Sequence, residues 1–390
     1  MRLERCNNIL DLRRLAQGTL PPALFDFIDG GAEDEVTLRR NTQAFDDYEL
    51  LPSHLTDVSR ISLKTTVLGR EIDSPIIFSP TGMSRLFHHD GELAVVRAAG
   101  EAGLYYGLST MSNVSLEDVA AAASGPLMFQ LYVHRDRGLT RELMQRAKES
   151  GYDSVCVTID TAVMGNRERD LINGLTVPPK LTLKSLLGFA LRPGWSLNHL
   201  THAPLTLPNV AHRVAEASGD GYSVIGYVNS QFDPGVTWDD ISEAAAAWDG
   251  PFAVKGVMSA SDAVRAADAG ASAVIVSNHG GRQLDGAAAS IDLIAEAVDA
   301  VAGRAEIILD GGVRRGTHVL KALSLGAKAC MMGRPYLWAL AGGGLDGVRH
   351  LTGLLRRELE RDMALLGCRS IDDLSRDHVR RRGNVWPSNR

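Results

Sequence analysis

The sequence is poor in cysteine and has no long apolar run. Its 390 residues contain four cysteines, none of them in a CxxC pair: Cys6, Cys156, Cys330 and Cys368. This spacing indicates neither a zinc site nor a disulfide framework, and it favours reduced, mostly buried thiols in a cytoplasmic protein. No stretch reaches the roughly 18 apolar residues of a transmembrane helix, and the charged start MRLERCNNILDLRRLA lacks the apolar centre of a signal peptide. A net charge of -6 gives the chain no electrostatic reason to bind nucleic acid.

One unit recurs along the chain: an alanine-rich amphipathic helix, a glycine and a short apolar strand. Examples are RAAGEAG before LYYGLS and RAADAG before ASAVIVSNHG. Glycine suits the left-handed backbone at a helix C-terminus, and continuous apolar runs are typical of parallel strands covered on both faces. Eight such runs occur, at residues 76–79, 104–108, 127–133, 154–159, 252–255, 273–277, 306–309 and 329–332. They predict an α/β protein, a single (β/α)8 TIM barrel domain over residues 1–390; a doubly wound open sheet is the alternative.

Two segments lie outside this repeat. Residues 1–70 precede the first strand and are predicted to form an N-terminal helical segment, with helices at 22–28 and 33–41. Residues 171–235 form an insertion after the fourth strand that is too long for an ordinary loop. From residue 171 to 215 there is no Asp or Glu, whereas basic and apolar residues occur together: Lys180, Lys184, Leu186, Leu187, Phe189, Leu191, Arg192, Trp195 and Arg213. We interpret the insertion either as a lid over the barrel mouth or as a membrane-contact segment.

Polar residues follow nearly every predicted strand, where barrel enzymes carry their chemistry. The seventh strand is followed by DGGVR, at residues 310–314, and the eighth by Gly333 and Arg334. Loops after these two strands frequently hold a phosphate, because glycines let backbone N–H groups approach its oxygens and arginine adds charge-assisted bonds. The pattern therefore predicts a phosphate site.

Other strand ends carry candidate acid–base and anion-binding groups. His279 follows the sixth strand, and Asp160, at the end of the fourth, is suited to orient it as a base. Arg167 and Arg282 are suited to bind a small carboxylate. Lys255 has three interpretations: a Schiff base as in some barrel aldolases, a positive charge near an anionic cofactor, or an ion pair. No cluster of His, Cys or carboxylates has metal-ligand spacing, so redox or carbanion chemistry would need an organic cofactor.

The stretches SNHGGRQLDG, DGGVRRGTHVLKALSLGA and MGRP resemble the FMN-dependent 2-hydroxy acid oxidase and dehydrogenase family. The resemblance runs from FDFIDGGAEDEVTLRRN to the helix near Arg357, and RERDLINGL and RPGWSLNHL are similar to the mandelate dehydrogenase branch. It implies FMN as the cofactor and oxidation of an (S)-2-hydroxy acid to the 2-keto acid. L-Lactate or another aliphatic hydroxy acid is an alternative substrate, and a Schiff-base aldolase is a more distant alternative function.

The resemblance also implies a role for each matching residue. FMN would be bound by residues from many strand ends: Pro80, Thr81, Gly82, Ser109, Gln130, Thr158, Lys255, Ser277, Asp310, Gly312, Arg314, Gly333 and Arg334. Of these, Lys255 would stabilise negative charge near flavin N1. Tyr132, Arg167 and Arg282 would bind the substrate. The base His279, oriented by Asp160, would take either the α-proton or the hydroxyl proton, and the sequence does not choose between them.

One position departs from the family pattern. Many members carry a tyrosine that hydrogen-bonds the substrate carboxylate where this chain has Phe25. Loss of such a bond weakens binding by roughly 1–3 kcal/mol if the partner stays buried, a cost that a larger apolar substrate would offset. Met111 and Met164 match positions near the substrate side chain, and methionine adapts to irregular apolar groups. We therefore expect a mandelate-like substrate, aryl or bulky.

Gly82 and the insertion bear on the electron acceptor and on location. Oxidases of this family usually have alanine at the position of Gly82 and membrane dehydrogenases often have glycine, which favours a quinone or other carrier over O2. The insertion aligns with the membrane-associating part of mandelate dehydrogenase, so a peripheral contact with the inner face of the membrane is expected. The resemblance also implies a homo-oligomer, a tetramer. Residues 380–382, all arginine, are expected to be a solvated terminus.

Overall fold

In the computed structural model, which describes residues 2–174, 183–213, 226 and 230–383, the chain begins with a helical segment. The elements before the barrel are α1 (Ile9–Thr19), α2 (Pro22–Asp29), α3 (Val36–Gln43), β1 (Tyr48–Leu50), β2 (Thr65–Val67) and β3 (Arg70–Ile72). Asn8 caps α1 by accepting a hydrogen bond from the Asp11 backbone N–H, and a proline begins α2, where its missing N–H costs nothing. The predicted helices at 22–28 and 33–41 are confirmed as α2 and α3.

Eight parallel strands then alternate with helices and close into a barrel. In chain order the elements are β4 (Ile76–Phe78), α4 (Gly91–Glu101), β5 (Tyr105–Ser109), α5 (Leu116–Ala122), β6 (Leu127–Leu131), α6 (Arg137–Glu149), β7 (Ser154–Thr158), α7 (Glu168–Ile172), α8 (Leu183–Ala190), α9 (Pro193–Leu200), α10 (Trp238–Trp248), β8 (Phe252–Val257), α11 (Ala260–Asp268), β9 (Ala273–Val276), α12 (Ser290–Val301), β10 (Glu306–Asp310), α13 (Gly316–Ser324), β11 (Ala329–Met332), α14 (Arg334–Leu366) and β12 (Val379–Arg381). Each strand from β4 to β11 pairs with the next, and β11 pairs with β4. All eight predicted strands are confirmed within two residues at either end, and the open-sheet alternative is wrong.

Alternate side chains of the barrel strands face two separate cores. One core fills the barrel and includes Ile77 of β4, and Val67 and Ile72 of the β2–β3 hairpin join it. The other core lies between the strands and the surrounding helices and includes Ile76 and Phe78. The four cysteines are buried and unpaired, as predicted. Because the hairpin before β4 packs into the barrel interior, the open mouth is formed by the C-terminal ends of the strands.

The described part of the insertion packs beside this mouth. Trp195 Nε1 donates a 2.9 Å hydrogen bond to Leu86 O after β4, and Asn113 Nδ2 after β5 donates a 2.7 Å bond to Thr206 O. Several leucines nonetheless stay exposed: Leu186, Leu187, Leu191, Leu197 and Leu200. Lys180 and the side chain of Lys184, which the sequence analysis singled out, lie outside the described structure. No helix in the described ranges combines the length and apolar character needed to cross a bilayer.

The C-terminal arginines belong to a small sheet. Strand β12 pairs antiparallel with β1, so that Tyr48 lies opposite Arg381, and Arg380 Nε donates a 2.8 Å hydrogen bond to Glu49 Oε2. The side chains of residues 380–382 are exposed, as expected of a solvated terminus, but the backbone of residues 380 and 381 is in addition paired with β1.

Candidate active site

His279 and Asp160 form a hydrogen-bonded pair at the mouth of the barrel. His279 Nδ1 lies 2.9 Å from Asp160 Oδ1, although β8 lies between the two strands that precede them. A carboxylate only accepts hydrogen bonds, so Nδ1 carries the proton of this bond, and Nε2 has a lone pair when the imidazole is neutral. His279 has φ +57°, and its backbone N–H donates to Ser277 Oγ at 3.1 Å. The two predicted partners are thus in contact, with the basic nitrogen of the imidazole directed away from the carboxylate.

The N-terminal segment closes one side of this mouth. Asn41 and Asn278 exchange two amide hydrogen bonds of 2.7 Å, and the Ala32 N–H donates to Gly281 O at 2.9 Å. A Cβ on Gly281 would lie 2.6 Å from the backbone nitrogen of Leu38, so this approach needs glycine. The sequence analysis missed the contact, since no local pattern indicates that Asn41 meets a residue 237 positions away.

Four partly buried arginines surround the mouth, and all four were predicted to bind anions: Arg167, Arg282, Arg314 and Arg334. Their guanidinium groups are held mainly by main-chain oxygens. Arg282 Nη1 donates to Phe27 O at 2.7 Å and to Gly30 O at 3.1 Å, and Arg334 donates three bonds of 2.8–2.9 Å to carbonyls. Among the described residues, no carboxylate oxygen lies within 4.0 Å of any of the four guanidinium groups.

This arrangement concentrates positive charge, and in the described structure carboxylates balance it only from beyond 4.0 Å: Asp170 near Arg167 and Arg282, and Asp29 near Arg314 and Arg334. Burial lowers the pKa of Arg282 well below its usual value, and the charges of Arg167 and Arg334 lower it further. Burial and the charge of Arg334 lower the pKa of Arg314 to about 9, and burial lowers that of Arg334 to about 10. Removing a cation from water without a counter-charge is costly. Anions such as a phosphate and a small carboxylate would therefore be strongly favoured here.

Lys255 is ion-paired inside the barrel. Its Nζ lies 2.8 Å from Asp310 Oδ2 and 3.0 Å from Ser277 Oγ, and Ser79 Oγ donates to Asp310 Oδ1 at 2.8 Å. Burial acts to lower the pKa of Lys255, but the carboxylates of Asp310 and Asp160 outweigh it and hold the pKa above its ordinary value. A lysine held protonated is a poor Schiff-base nucleophile. Of the three interpretations of Lys255, the contacts favour a fixed positive charge within an ion pair.

Side chains of three adjacent strands form a hydrogen-bonded row along the mouth. Ser109 Oγ donates to Gln130 Oε1 at 3.1 Å, and Gln130 Nε2 donates to Thr158 Oγ1 at 3.0 Å. Beyond β4, Thr81 Oγ1 lies 2.5 Å from the hydroxyl of Tyr336. The row offers amide and hydroxyl groups side by side, as recognition of a planar heterocycle requires.

The residues predicted to contact the substrate side chain differ in exposure. Met111 is partly buried, and a Cβ added at Gly82 would lie 2.7 Å from Met111 Cβ. Met164 is exposed, whereas Phe25 is buried and packs under the guanidinium of Arg13, 5.4 Å from the ring centroid. Thus Met111 is the apolar side chain of this group that lies directly against the backbone after β4.

A cavity of about 240 Å³ adjoins Tyr132, and Thr158, Phe232 and Trp238 also line it. The Phe232 ring meets the Tyr132 ring edge-on, with centroids 5.1 Å apart. Burial, with the nearby charge of Asp160, raises the pKa of Tyr132 to about 12, so its hydroxyl keeps its proton at neutral pH. Phe232 lies near the end of the insertion and was not predicted, because no sequence pattern relates it to Tyr132.

One group outside the mouth has metal-ligand spacing that the sequence analysis did not recognise. Atoms of His88, His89 and Asp90 lie within 4.8 Å of one another. His88 Nδ1 accepts from the Asp90 backbone N–H at 3.3 Å, and His89 Nδ1 lies 2.8 Å from Asn198 Nδ2. The His89–Asn198 contact joins the loop after β4 to the insertion, and we assign the group no metal function.

Comparison with known proteins bears on the same residues. Residues 16–381 match the model of the FMN-dependent dehydrogenase family. An L-lactate oxidase from Nostoc sp. is 43% identical over 94% of this chain and 96% of its own, and glycolate oxidase 3 of Arabidopsis thaliana is 41% identical over 96% and 95%. The solved structure of the monotopic membrane protein (S)-mandelate dehydrogenase is 37% identical, with a TM-score of 0.91, over 97% of this chain and 100% of that one.

The cofactor of this family fits the residues that line the mouth. FMN carries a phosphate, and the guanidinium groups of Arg314 and Arg334 have no carboxylate oxygen within 4.0 Å in the described structure. The hydroxyl and amide row from Ser109 to Thr158 suits its ring system. The chain belongs to the FMN-dependent dehydrogenase family, and it is an FMN-dependent 2-hydroxy acid oxidase or dehydrogenase that acts on the CH–OH group of its substrate.

Proposed function

We propose that this protein oxidises an (S)-2-hydroxy acid with an aryl or other bulky side chain, such as mandelate, to the 2-keto acid. The observation that carries the proposal is the His279–Asp160 pair, 2.9 Å apart, at the same mouth as Arg167 and Arg282. Among the described residues neither guanidinium has a carboxylate oxygen within 4.0 Å, although the charge of the more distant Asp170 acts on both. A hydroxy acid supplies both a carboxylate for the arginines and a proton for the base.

FMN would be held by both halves of the mouth. Its phosphate would lie against Arg314, Arg334 and the backbone N–H groups of Gly312 and Gly333. Its ring would meet the backbone of Pro80, Thr81 and Gly82, the side chains of Ser109, Gln130 and Thr158, and the network of Lys255, Ser277 and Asp310. When bound, FMN would supply the acceptor for the two electrons that the substrate loses and for the proton that His279 does not take.

The residues of this chain would bind the acid and move one proton. Arg167 and Arg282 would bind the carboxylate, and this fixes the α-carbon relative to His279. His279 Nε2 would accept a proton from the substrate, and the charge of Asp160 would stabilise the imidazolium that results. Tyr132, with a pKa of about 12, would donate its hydroxyl hydrogen bond to the substrate. Lys255 would contribute positive charge where negative charge develops.

The aryl preference rests on three side chains. Phe25 offers no hydroxyl to the carboxylate, and Met111 and Met164 would provide adaptable apolar contacts. L-Lactate or another aliphatic acid is the second candidate, because the L-lactate oxidase relative is 43% identical and the mandelate dehydrogenase structure 37%.

Steady-state rates test the choice of substrate. We expect kcat/KM for (S)-mandelate to exceed that for L-lactate and glycolate by roughly tenfold or more, since burial of a ring is worth more than the 1.4 kcal/mol that a factor of ten represents. The assay is flavin bleaching without oxygen, followed by turnover with and without a quinone analogue. Faster oxidation of lactate would overturn the aryl preference and leave the reaction itself intact.

The acceptor that we propose is a quinone or another carrier. Support comes from Gly82, because membrane dehydrogenases of this family often have glycine at this position and oxidases usually have alanine. A methyl group on Gly82 would lie 2.7 Å from Met111 Cβ, so this chain has no room for that alanine without rearrangement. Turnover that rises with a quinone analogue supports the proposal, and equal rates with O2 alone contradict it.

We also propose a peripheral contact with the inner face of the membrane, made by the exposed leucines of the insertion: Leu186, Leu187, Leu191, Leu197 and Leu200. The similarity to a monotopic membrane protein, (S)-mandelate dehydrogenase, supports this assignment.

We further propose that the protein is a homo-oligomer, a tetramer. Light scattering of the purified protein tests this proposal.

Vesicle binding tests the membrane contact. The protein should sediment with vesicles that contain anionic lipid, and replacing Leu187, Leu191 and Leu200 with glutamine should weaken binding at least about tenfold, because each leucine that enters the acyl region contributes roughly 1.5 kcal/mol or more. Leu365→Gln, at an equally exposed leucine of α14, is the matched control and should bind as the wild type does. Equal sedimentation of all three proteins would contradict the assignment.

A further inference from the structure

Gly256, the residue after Lys255 in β8, lies directly against the carboxylate of the proposed catalytic pair. We propose that Gly256 is a positioning residue: its missing side chain leaves the space in which Asp160 reaches His279. This inference rests on the proposed function, in which the Asp160–His279 pair removes the proton.

The contact is too close for any other residue. A Cβ on Gly256 would lie 2.7 Å from both Cβ and Cγ of Asp160 and 3.0 Å from its backbone nitrogen. Gly256 also has φ +102°, a conformation that residues with a side chain rarely adopt. An alanine here would therefore have to displace Asp160, the backbone of β8, or both.

The side chain of Asp160 is the part that yields most easily. Its backbone is fixed on two sides, because the Ile159 N–H donates to Lys255 O at 2.9 Å and Gln283 Nε2 donates to Asp160 O at 2.7 Å. The carboxylate is held less firmly: Oδ1 bonds His279, but Oδ2 is buried and has no hydrogen-bond partner in the described structure. A methyl group on Gly256 would thus act on the carboxylate that orients the imidazole.

A β-bulge explains how glycine comes to this point. Lys255 pairs with Ile275 of β9 and Val257 pairs with the next residue, Val276, so Gly256 is an extra residue in β8. Bulges change the direction of a strand and occur beside active sites. Here the bulge follows the lysine that is ion-paired inside the barrel and brings the backbone of Gly256 against Asp160.

The test must separate loss of the pair from backbone strain. Gly256→Ala introduces both, whereas Gly270→Ala is a matched control: Gly270 has φ +94°, but a Cβ there meets only Ala245 Cβ, at 3.4 Å. We expect Gly256→Ala to retain FMN and to lose kcat by on the order of 10²-fold, with KM changed less than about threefold, since the base is impaired and the carboxylate site is not. Gly270→Ala should keep the wild-type kcat. Wild-type kcat in Gly256→Ala overturns the proposal.

A double-mutant cycle asks whether Gly256 acts through Asp160. In an Asp160→Asn background, Gly256→Ala should lower kcat by less than about threefold more, because the interaction it disturbs is already lost. Effects that simply multiply would overturn the proposal. If Asp160→Asn alone leaves kcat unchanged, the acid–base role proposed for the Asp160–His279 pair fails, while oxidation of the hydroxy acid itself stands. If that variant is inactive while Gly256→Ala is fully active, this inference alone fails.

Thermal unfolding gives a readout that does not depend on turnover. If Gly256→Ala has a lower Tm than the wild type, adding Asp160→Gly should recover more than half of that decrease, because the methyl group then clashes with no side chain at position 160. An unimproved Tm would mean that backbone strain alone explains the glycine, which overturns the proposal even where the single variant cannot be assayed.

Discussion

Replacing His279 with alanine should lower kcat by roughly 10²- to 10⁴-fold, the usual contribution of a positioned base. The protein should stay yellow, because the residues proposed to hold the phosphate and the ring are untouched. The carboxylate of Asp160 would lose its 2.9 Å hydrogen bond to the imidazole. No other described residue bonds this carboxylate in a way that would let it replace His279 as the base. Stopped-flow bleaching of the flavin by the hydroxy acid measures the effect directly.

A second histidine controls for loss of an imidazole. His350 is partly buried and bonds Cys6 O at 2.7 Å, outside the mouth. His350→Ala should keep the wild-type bleaching rate, whatever its effect on Tm. Rapid bleaching in His279→Ala would remove the base assignment, while its loss of FMN would show that His279 serves the cofactor.

Replacing Arg282 with methionine should lower kcat/KM by on the order of 10²-fold, mostly through KM. Arg282 Nη1 already donates to the carbonyls of Phe27 and Gly30, which leaves Nε and Nη2 as a fork for the substrate carboxylate. Two charge-assisted bonds of about 1.5 kcal/mol each give this factor. Because the carboxylate is bound before and during the reaction, kcat should change less.

Two further variants sharpen the test. Arg282→Lys keeps the charge but not the planar fork, and should lie between methionine and the wild type in KM. Arg349→Met removes a surface arginine paired with Glu101 at 2.6 Å and should leave kcat/KM unchanged. An unchanged KM in Arg282→Met would assign the substrate carboxylate to other residues.

The barrel could be predicted because each unit is marked locally. An apolar run, a helical pattern and a glycine at the helix end are all visible within about 30 residues, and the order of eight such units leaves closure as the consistent topology. The mouth residues followed, because parallel strands end on the same side. His279 and Asp160 could be paired for this reason, although they are 119 residues apart.

Contacts that depend on two distant segments could not be predicted. The backbone pairing of Tyr48 with Arg381 and the amide pair of Asn41 and Asn278 join regions whose own patterns say nothing about a partner. The bulge at Gly256 is similar: a glycine after Lys255 is visible in the sequence, but its closeness to Asp160 exists only after β7 and β8 pair. Periodicity predicts which face of a strand is buried, and register decides which side chains meet.

The three carbonyls that accept from Arg334 belong to Ile28, Gly30 and Gly280, so the first and last parts of the chain meet at the mouth of the barrel. The ribosome therefore synthesises two of these acceptors, Ile28 and Gly30, about 300 residues before their donor, Arg334. Helix α2 leaves the ribosome early, yet its carbonyls acquire this partner only after the last barrel strand has been translated. The mouth is therefore complete only in the finished polypeptide.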